Sequence, residues 1–320
     1  MKPLVIVNNA AAKARTAWPV VEERLTAAGI DYNIYATTAP GDATQKTRAA
    51  LRSGTSTVGV VGGDGTLGEV AEGFFEFSEN LNELPTPINR QAGLAILPAG
   101  TGDDFARGLY GRRLPLSYWI DAFVQHCKCG YALNSLVDVL YGLCNDYQKP
   151  FICLNASTMG IGGETAGRVA SQGPFMRRFS GELRFALAAL SALTVWRERR
   201  VRVTVDNRVI IDGPMNLAAV ANALYAGGGM VLSPDARADD GRLDVVTASG
   251  LSRAGVVREL SRIHSGGHVN NPKVLIAQGR LVQMHTFSPA DAMPLEADGN
   301  VRGFTPVQFR IMPRALTIVY

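Results

Sequence analysis

Val60-Val61-Gly62-Gly63-Asp64-Gly65-Thr66-Leu67-Gly68-Glu69-Val70 decides the fold class. An apolar, β-branched strand over Thr57–Val61 runs into a glycine-rich turn and then into a helix reaching about Phe77. Missing side chains let the backbone approach a phosphate, and the helix N-terminus adds N–H donors and the positive end of a dipole. Asp64, set among those donors, repels a bare phosphate, so the loop points to a nucleotide carried with a metal ion. The spacing Gly63-x-Gly65-x-x-Gly68 also fits a dinucleotide fingerprint. It falls on the third strand, however, and no ribose-binding acid follows the next one. A tight turn that needs positive φ is the plainer alternative.

Outward from this loop, strands and helices alternate. Pro3–Val7, Tyr32–Thr37 and Leu94–Leu97 read as strands, while Arg15–Ala28 and Asp42–Ser53 read as helices that stop at Gly29 and Gly54. That alternation predicts a parallel sheet covered on both faces. Beyond about Tyr131 strand follows strand: Leu136–Tyr141, Phe151–Ala156, Arg202–Val205, Val209–Ile211, Asn216–Leu224 and Leu243–Ala248. Asp206-Asn207 reads as a hairpin turn between two of them. Successive strands predict an antiparallel sheet or sandwich, interrupted by a helical insert at Glu182–Trp196. The expected division is residues 1–130, with 305–320 returning to them, and residues 131–304.

Composition bounds the remaining possibilities. The 320 residues are 47% hydrophobic and 19% charged, which excludes wholesale disorder. A net charge of +4 is too small to argue for nucleic acid as a partner, though it suits an anionic substrate or membrane surface. Four irregularly spaced cysteines make no disulfide framework and read as reduced thiols of a cytoplasmic protein. Gly213–Pro234 carries no charge, but Asn216, Asn222 and Gly227-Gly228-Gly229 argue for buried strand and loop, not a membrane span.

Three further stretches carry chemistry. Leu97-Pro98-Ala99-Gly100-Thr101-Gly102-Asp103-Asp104-Phe105-Ala106-Arg107 repeats the strand–loop–helix design on the next strand. Neighbouring parallel strands bring both loops to the carboxyl edge of the sheet, where open α/β folds bind ligands. Thr101 can donate to a phosphate, and Asp103 and Asp104 can order metal-bound water or cap the helix. Ser233 to Asp244 is acidic and glycine-punctuated, the makings of a hard-cation site or an ordinary turn. Leu295-Glu296-Ala297-Asp298-Gly299-Asn300 can carry a general base or simply close a hairpin.

Together and in this order, these stretches resemble the diacylglycerol kinase catalytic-domain family, the bacterial soluble lipid kinases in particular. Gly62-Gly63-Asp64-Gly65-Thr66 is shared with NAD kinases and phosphofructokinases. Leu97-Pro98-x-Gly100-Thr101, Asp104-Phe105-Ala106-Arg107, and the glycine triplet followed by Pro234-x-Ala236 and Asp240-Gly241-x-Leu243-Asp244 are particular to lipid kinases. The resemblance implies an α/β nucleotide domain like that of NAD kinase, a C-terminal β-sandwich-like domain, and a cleft between them. It implies that ATP lies against Asn8, Lys13, Thr37, the loop from Gly62 through Leu67 to Gly68, and Thr101. It also implies a structural Mg2+ on Asp240 and the backbone carbonyls of Arg237 and Arg242.

This sequence departs from the family pattern at three places. Gly68 and Asp103 each stand where the family has asparagine. Asn300 stands where the family has the glutamate proposed as proton acceptor, and an amide cannot take up a hydroxyl proton as a carboxylate can. Asp298 is the expected acceptor in its place, with Asp64 on the metal–phosphate side. The activity implied is transfer of the γ-phosphoryl of ATP to a hydroxyl of a lipid such as diacylglycerol, by a protein that touches the membrane transiently and peripherally. A catalytically weak nucleotide- or lipid-binding protein, or an NAD kinase-like enzyme, are the alternatives. Phe175-Met176-Arg177-Arg178-Phe179 and Leu183–Trp196, with basic residues behind, suit interfacial binding or a core helix with solvated ends. The oligomeric state stays open, a homodimer included.

Overall fold

A computed structural model describes residues 2–130, 134–173, 175–176, 179 and 181–320, with the backbone alone at 181 and 182. Arg177, Arg178 and the expected boundary near Tyr131 lie outside the described residues.

The N-terminal part alternates as its sequence pattern predicts: β1 (Leu4–Val7), α1 (Ala12–Ala27), β2 (Asn33–Ala36), α2 (Asp42–Arg52), β3 (Thr57–Gly62), α3 (Asp64–Glu72), β4 (Gly93–Pro98), α4 (Asp104–Tyr110) and α5 (Leu116–Cys129). The strands run parallel in the order β2-β1-β3-β4. β3 is buried along its whole length, as a central strand covered on both faces must be, whereas β2 forms an exposed edge. Val5, Val60 and Leu94 pack with Trp119 and Phe123 of α5 in the core of this layer. The reading along the sequence did not anticipate α5; Pro115 precedes it and Gly130, at φ +66°, ends it.

The second part comprises β5 (Asn134–Cys144), β6 (Lys149–Cys153), β7 (Ala156–Gly160), α6 (Ile161–Ala170), α7 (Gly181–Val195), β8 (Arg199–Val205), β9 (Arg208–Met215), β10 (Leu217–Ala221), β11 (Leu243–Ala248), α8 (Arg253–Arg262), β12 (Val274–Gly279), β13 (Leu281–Thr286), β14 (Pro294–Ala297), β15 (Asn300–Phe304) and β16 (Val307–Val319). β12-β11-β10-β7-β14-β15 form one antiparallel sheet. It faces β9-β8-β13-β16 across an apolar layer that includes Met159, Leu295, Val203, Met284 and Phe309, which gives the β-sandwich. Asp206 and Asn207, both at positive φ, turn the chain between β8 and β9 as the sequence suggests.

One strand joins the two halves. Val307–Arg310 of β16 pairs antiparallel with β13, and after an irregularity at residues 313–315 Thr317–Val319 pairs parallel with Gly93–Ala95 of β4. The buried Asp138 carboxylate secures that irregularity. It accepts the Arg314 N–H at 2.7 Å and the Gly241 N–H at 2.6 Å.

Candidate active site

Both glycine loops lie at the carboxyl edge of the parallel strands and touch through bare backbone. A methyl group on Gly63 would lie 3.0 Å from the Gly100 Cα, so neither position admits a side chain without moving the other loop. Thr66 packs against Gly62, and its hydroxyl accepts from the Asn8 amide at 2.7 Å. Asn8 in turn accepts the N–H groups of Ala10 and Ala11. Lys13 reaches across from α1 to the Gly100 carbonyl at 3.3 Å, and Thr37 ends β2 with its N–H on Val7. Thus Asn8, Lys13 and Thr66 converge on the loops. Thr37 sits at the same sheet edge; of the expected nucleotide contacts Asp64, Gly65 and Thr101 line the cavity below, while Asn8, Lys13, Thr37 and Thr66 do not.

The second loop is held shut by its own acids. The Asp103 carboxylate accepts the Gly100 N–H at 2.7 Å and pairs with Arg113 at 2.5 Å. Asp104, buried at the start of α4, accepts the Gly228 N–H at 2.7 Å through Oδ2. Gly227, Gly228 and Gly229 all lie at positive φ, and the space beside Gly229 is filled by the Arg107 guanidinium. The triplet from the far half therefore closes onto α4 and completes one wall of the cleft.

Between the halves lies a cavity of about 820 Å³ with two chemically distinct ends. One carries Asp64, Thr101, Asp104, Glu296 and Asp298; the other is apolar, built from Phe185, Leu190 and Leu193 of α7 with Val257 and Leu260 of α8. α7 is thus no core helix: Leu187, Leu190 and Val195 are exposed while Ala189 and Leu193 are buried.

Asp64 and Asp104 load the polar end. Phe105 N–H donates to Asp64 at 3.1 Å, bringing the two loops together. Burial, with the Asp104 carboxylate alongside, pushes the Asp64 carboxyl up to about 7. Burial raises Asp104 as well, and its Oδ1 is buried without a hydrogen-bond partner. Two neighbouring carboxylates and an orphaned oxygen at a helix N-terminus fit a divalent cation carried on nucleotide phosphates, which would return both groups to their anionic forms.

Asp298 has a different setting. It turns the β14–β15 hairpin at φ +51°, and its buried carboxylate accepts N–H groups from Leu154, Asn155 and Ala156 at 2.7, 2.8 and 3.3 Å. Burial still holds its carboxyl above the usual range. The Asn300 amide donates to the Gly65 carbonyl at 3.0 Å, tying the hairpin to the first loop. Glu296, which the sequence reading includes in this stretch but does not single out, is buried on β14. Its Oε1 accepts the Thr158 N–H at 3.1 Å and hydroxyl at 2.7 Å, and its Oε2 accepts the Gly299 N–H at 2.8 Å. Burial outweighs these donors and pushes the carboxyl up to about 7. The available signal was the strand alternation: Leu295 and Ala297 are core residues, so Glu296 must face the other way.

Arg237, Asp240 and Arg242 lie elsewhere. All three are exposed on the loop that Asp138 anchors and none lines the cavity; Asp240 accepts the Arg242 N–H at 2.9 Å. Among the described residues, no three His, Cys, Asp or Glu side chains converge as a preformed metal cage would. One carboxylate with two backbone carbonyls, as expected at Asp240, is not a cage of that kind. All four cysteines are free thiols.

Residues 2–127 match the family model of the diacylglycerol kinase catalytic domain, and residues 160–320 match that of the YegS C-terminal NAD kinase beta sandwich-like domain. The chain belongs to the diacylglycerol kinase family of lipid kinases. It is a phosphotransferase, and both the family and the two-part fold that the resemblance implies are confirmed. The diacylglycerol kinase of Staphylococcus carnosus is 28% identical over 91% of this chain and 85% of its own length. That of Bacillus subtilis is 25% identical over 93% and 89%, and a probable lipid kinase YegS-like protein of Pseudomonas aeruginosa is 27% identical over 91% and 85%. A crystal structure of a diacylglycerol kinase from Bacillus anthracis str. Sterne shares the fold, with a TM-score of 0.66 at 21% identity over 100% of this chain and 96% of its own. Among the described residues of this kinase, no helix is long and apolar enough to cross a membrane.

Proposed function

We propose that this kinase transfers the γ-phosphoryl group of ATP, bound with Mg2+, to a primary hydroxyl of a membrane lipid such as diacylglycerol. The observation that carries the reading is the cavity itself. It joins a carboxylate-bearing phosphate cradle to an apolar chamber within one continuous space. A nucleotide on the glycine loops would lie at the polar end, while an acyl chain would be sheltered against Phe185, Leu193 and Leu260. Its hydroxyl would then meet the phosphate where the two ends join.

In this reading the chain binds, orients and neutralises. The N–H groups at the start of α3 would hold phosphate oxygens, and the Gly63–Gly100 contact keeps the two loops together around them. Asp64 and Asp104 would hold the divalent ion, whose chemistry is to draw charge from the transferring phosphoryl group. Closure of the glycine triplet on α4 shields the site from water.

The enzyme would meet its substrate at a bilayer surface. Leu187, Val195, Phe175 and Phe179 are exposed around α7, and Arg258, Arg262 and Lys273 stand on and beside α8, whose other face lines the chamber. Apolar groups beside cations suit a surface of anionic lipid. ATP turnover against a panel of lipid alcohols in anionic vesicles tests the reading: diacylglycerol should be phosphorylated and NAD should not. Nucleotide binding with no turnover on any alcohol would favour a binding protein on this scaffold, the reading that Asn300 motivates.

A further inference from the structure

Among the described residues four carboxylates line the cavity, and three of them are committed. Asp64 and Asp104 lie together on the phosphate loops. Asp298 Oδ1 is shared among Asn155 N–H, Ala156 N–H and the Cys153 thiol. Its Oδ2 takes the Leu154 N–H and is packed against Gly68 of α3. Asn300 presents a donor to Gly65. Glu296, away from the phosphate loops and clear of the Gly68 contact, is held in place and keeps spare capacity: Oε2 accepts a single N–H, from Gly299, and a carboxylate oxygen can accept two. Thr158 on the neighbouring strand fixes its other oxygen, so the group is positioned without being saturated.

We propose that Glu296 is the proton acceptor of this enzyme, replacing the carboxylate that Asn300 lacks. The alcohol proton passes to a Glu296 oxygen as the alcohol oxygen bonds to the γ-phosphorus. The bond from that phosphorus to the β–γ bridging oxygen breaks, and its electron pair leaves on the nucleoside diphosphate. The inference rests on the function proposed above. With its carboxyl at about 7, Glu296 is available as a base at neutral pH without being too weak to take the proton.

Glu296→Gln keeps the shape of the side chain and removes the base. Turnover of diacylglycerol and ATP in mixed micelles should fall roughly 10²–10⁴-fold, the usual share of general-base catalysis, while Mg2+–ATP affinity by calorimetry should stay within about threefold. Adding Asn300→Glu to Glu296→Gln should restore at least tenfold of the loss, because it sets a carboxylate beside Gly65 of the first phosphate loop, which lines the cavity. A merely structural Glu296 would show no such rescue. Glu296→Gln turning over within threefold of the unaltered enzyme overturns the assignment, as does loss of turnover together with nucleotide affinity and no rescue. If the unaltered enzyme binds Mg2+–ATP but phosphorylates no lipid alcohol, the proposed function falls and takes this assignment with it. An active enzyme with an equally active Glu296→Gln sinks the assignment alone.

Discussion

Gly68, in the second turn of α3, lies directly against the carboxylate of Asp298: a methyl group on residue 68 would stand 2.7 Å from Oδ2 and 2.8 Å from Cβ of that residue. Helix and hairpin come from opposite halves of the molecule, so this contact sets how closely the phosphate loop and the hairpin carrying Glu296 approach.

Gly68→Ala should therefore destabilise the protein. In an exposed helix the change would gain up to about 1 kcal/mol, but here the added group must push the hairpin away, a cost of about 1–3 kcal/mol. Chemical denaturation should show a net loss, and turnover should fall with it. A gain in stability would mean that the two halves adjust freely at this contact.

Asp298→Asn should act mainly on stability. An amide offers one acceptor oxygen where the carboxylate receives three backbone N–H groups, so at least one buried donor is left unpaired. The expected cost is about 2–3 kcal/mol in a denaturant titration. Turnover that vanished while stability was unchanged would instead make Asp298 the proton acceptor.

Asp64→Asn should reduce turnover by at least roughly 10³-fold, because it weakens the hold on the ion that would neutralise charge in phosphoryl transfer. Chelation of divalent ions should silence the unaltered enzyme, and excess Mg2+ should restore it. Retained turnover in the chelator would contradict the role given to the Asp64–Asp104 pair.

The pH dependence of kcat should report Glu296. Its carboxyl is raised to about 7, with burial the main cause and the facing charge of Asp298 adding to it. A base works when deprotonated, so kcat should rise with pH up to about 7 and level off above it. In Glu296→Gln that acid limb should disappear, leaving a low and flat profile.

Leu187→Glu should weaken attachment to anionic vesicles about tenfold or more, since burying a leucine at an interface is worth about 1.5–3 kcal/mol. Leu187 is 44% exposed and does not line the cavity. Turnover of a short-chain, water-soluble diacylglycerol should accordingly be unaffected. Equal losses on soluble and vesicle substrates would argue against a membrane face here.

Much of the molecule is legible along the chain because local rules dictate it. An unbroken apolar run at Thr57–Val61 reads as an interior strand, and glycines at 63 and 100 mark loops where backbone meets backbone. Asp206-Asn207 can take positive φ and so closes a hairpin. Those preferences depend on neighbours a few residues away, which is why the parallel layer, its two loops and the family were readable without coordinates. The pairing of β16 with both layers, the burial of Asp298 and the outlook of Glu296 are of another kind. They depend on contacts such as Asn300 with Gly65, separated by 235 positions, and packing alone selects among the partners that a chain this long could bring together. The amino-acid order thus determined that the chain would build a phosphate cradle at a sheet edge. Tertiary packing decided which carboxylates line the cavity beside it, and that an apolar helix would wall a chamber instead of filling a core.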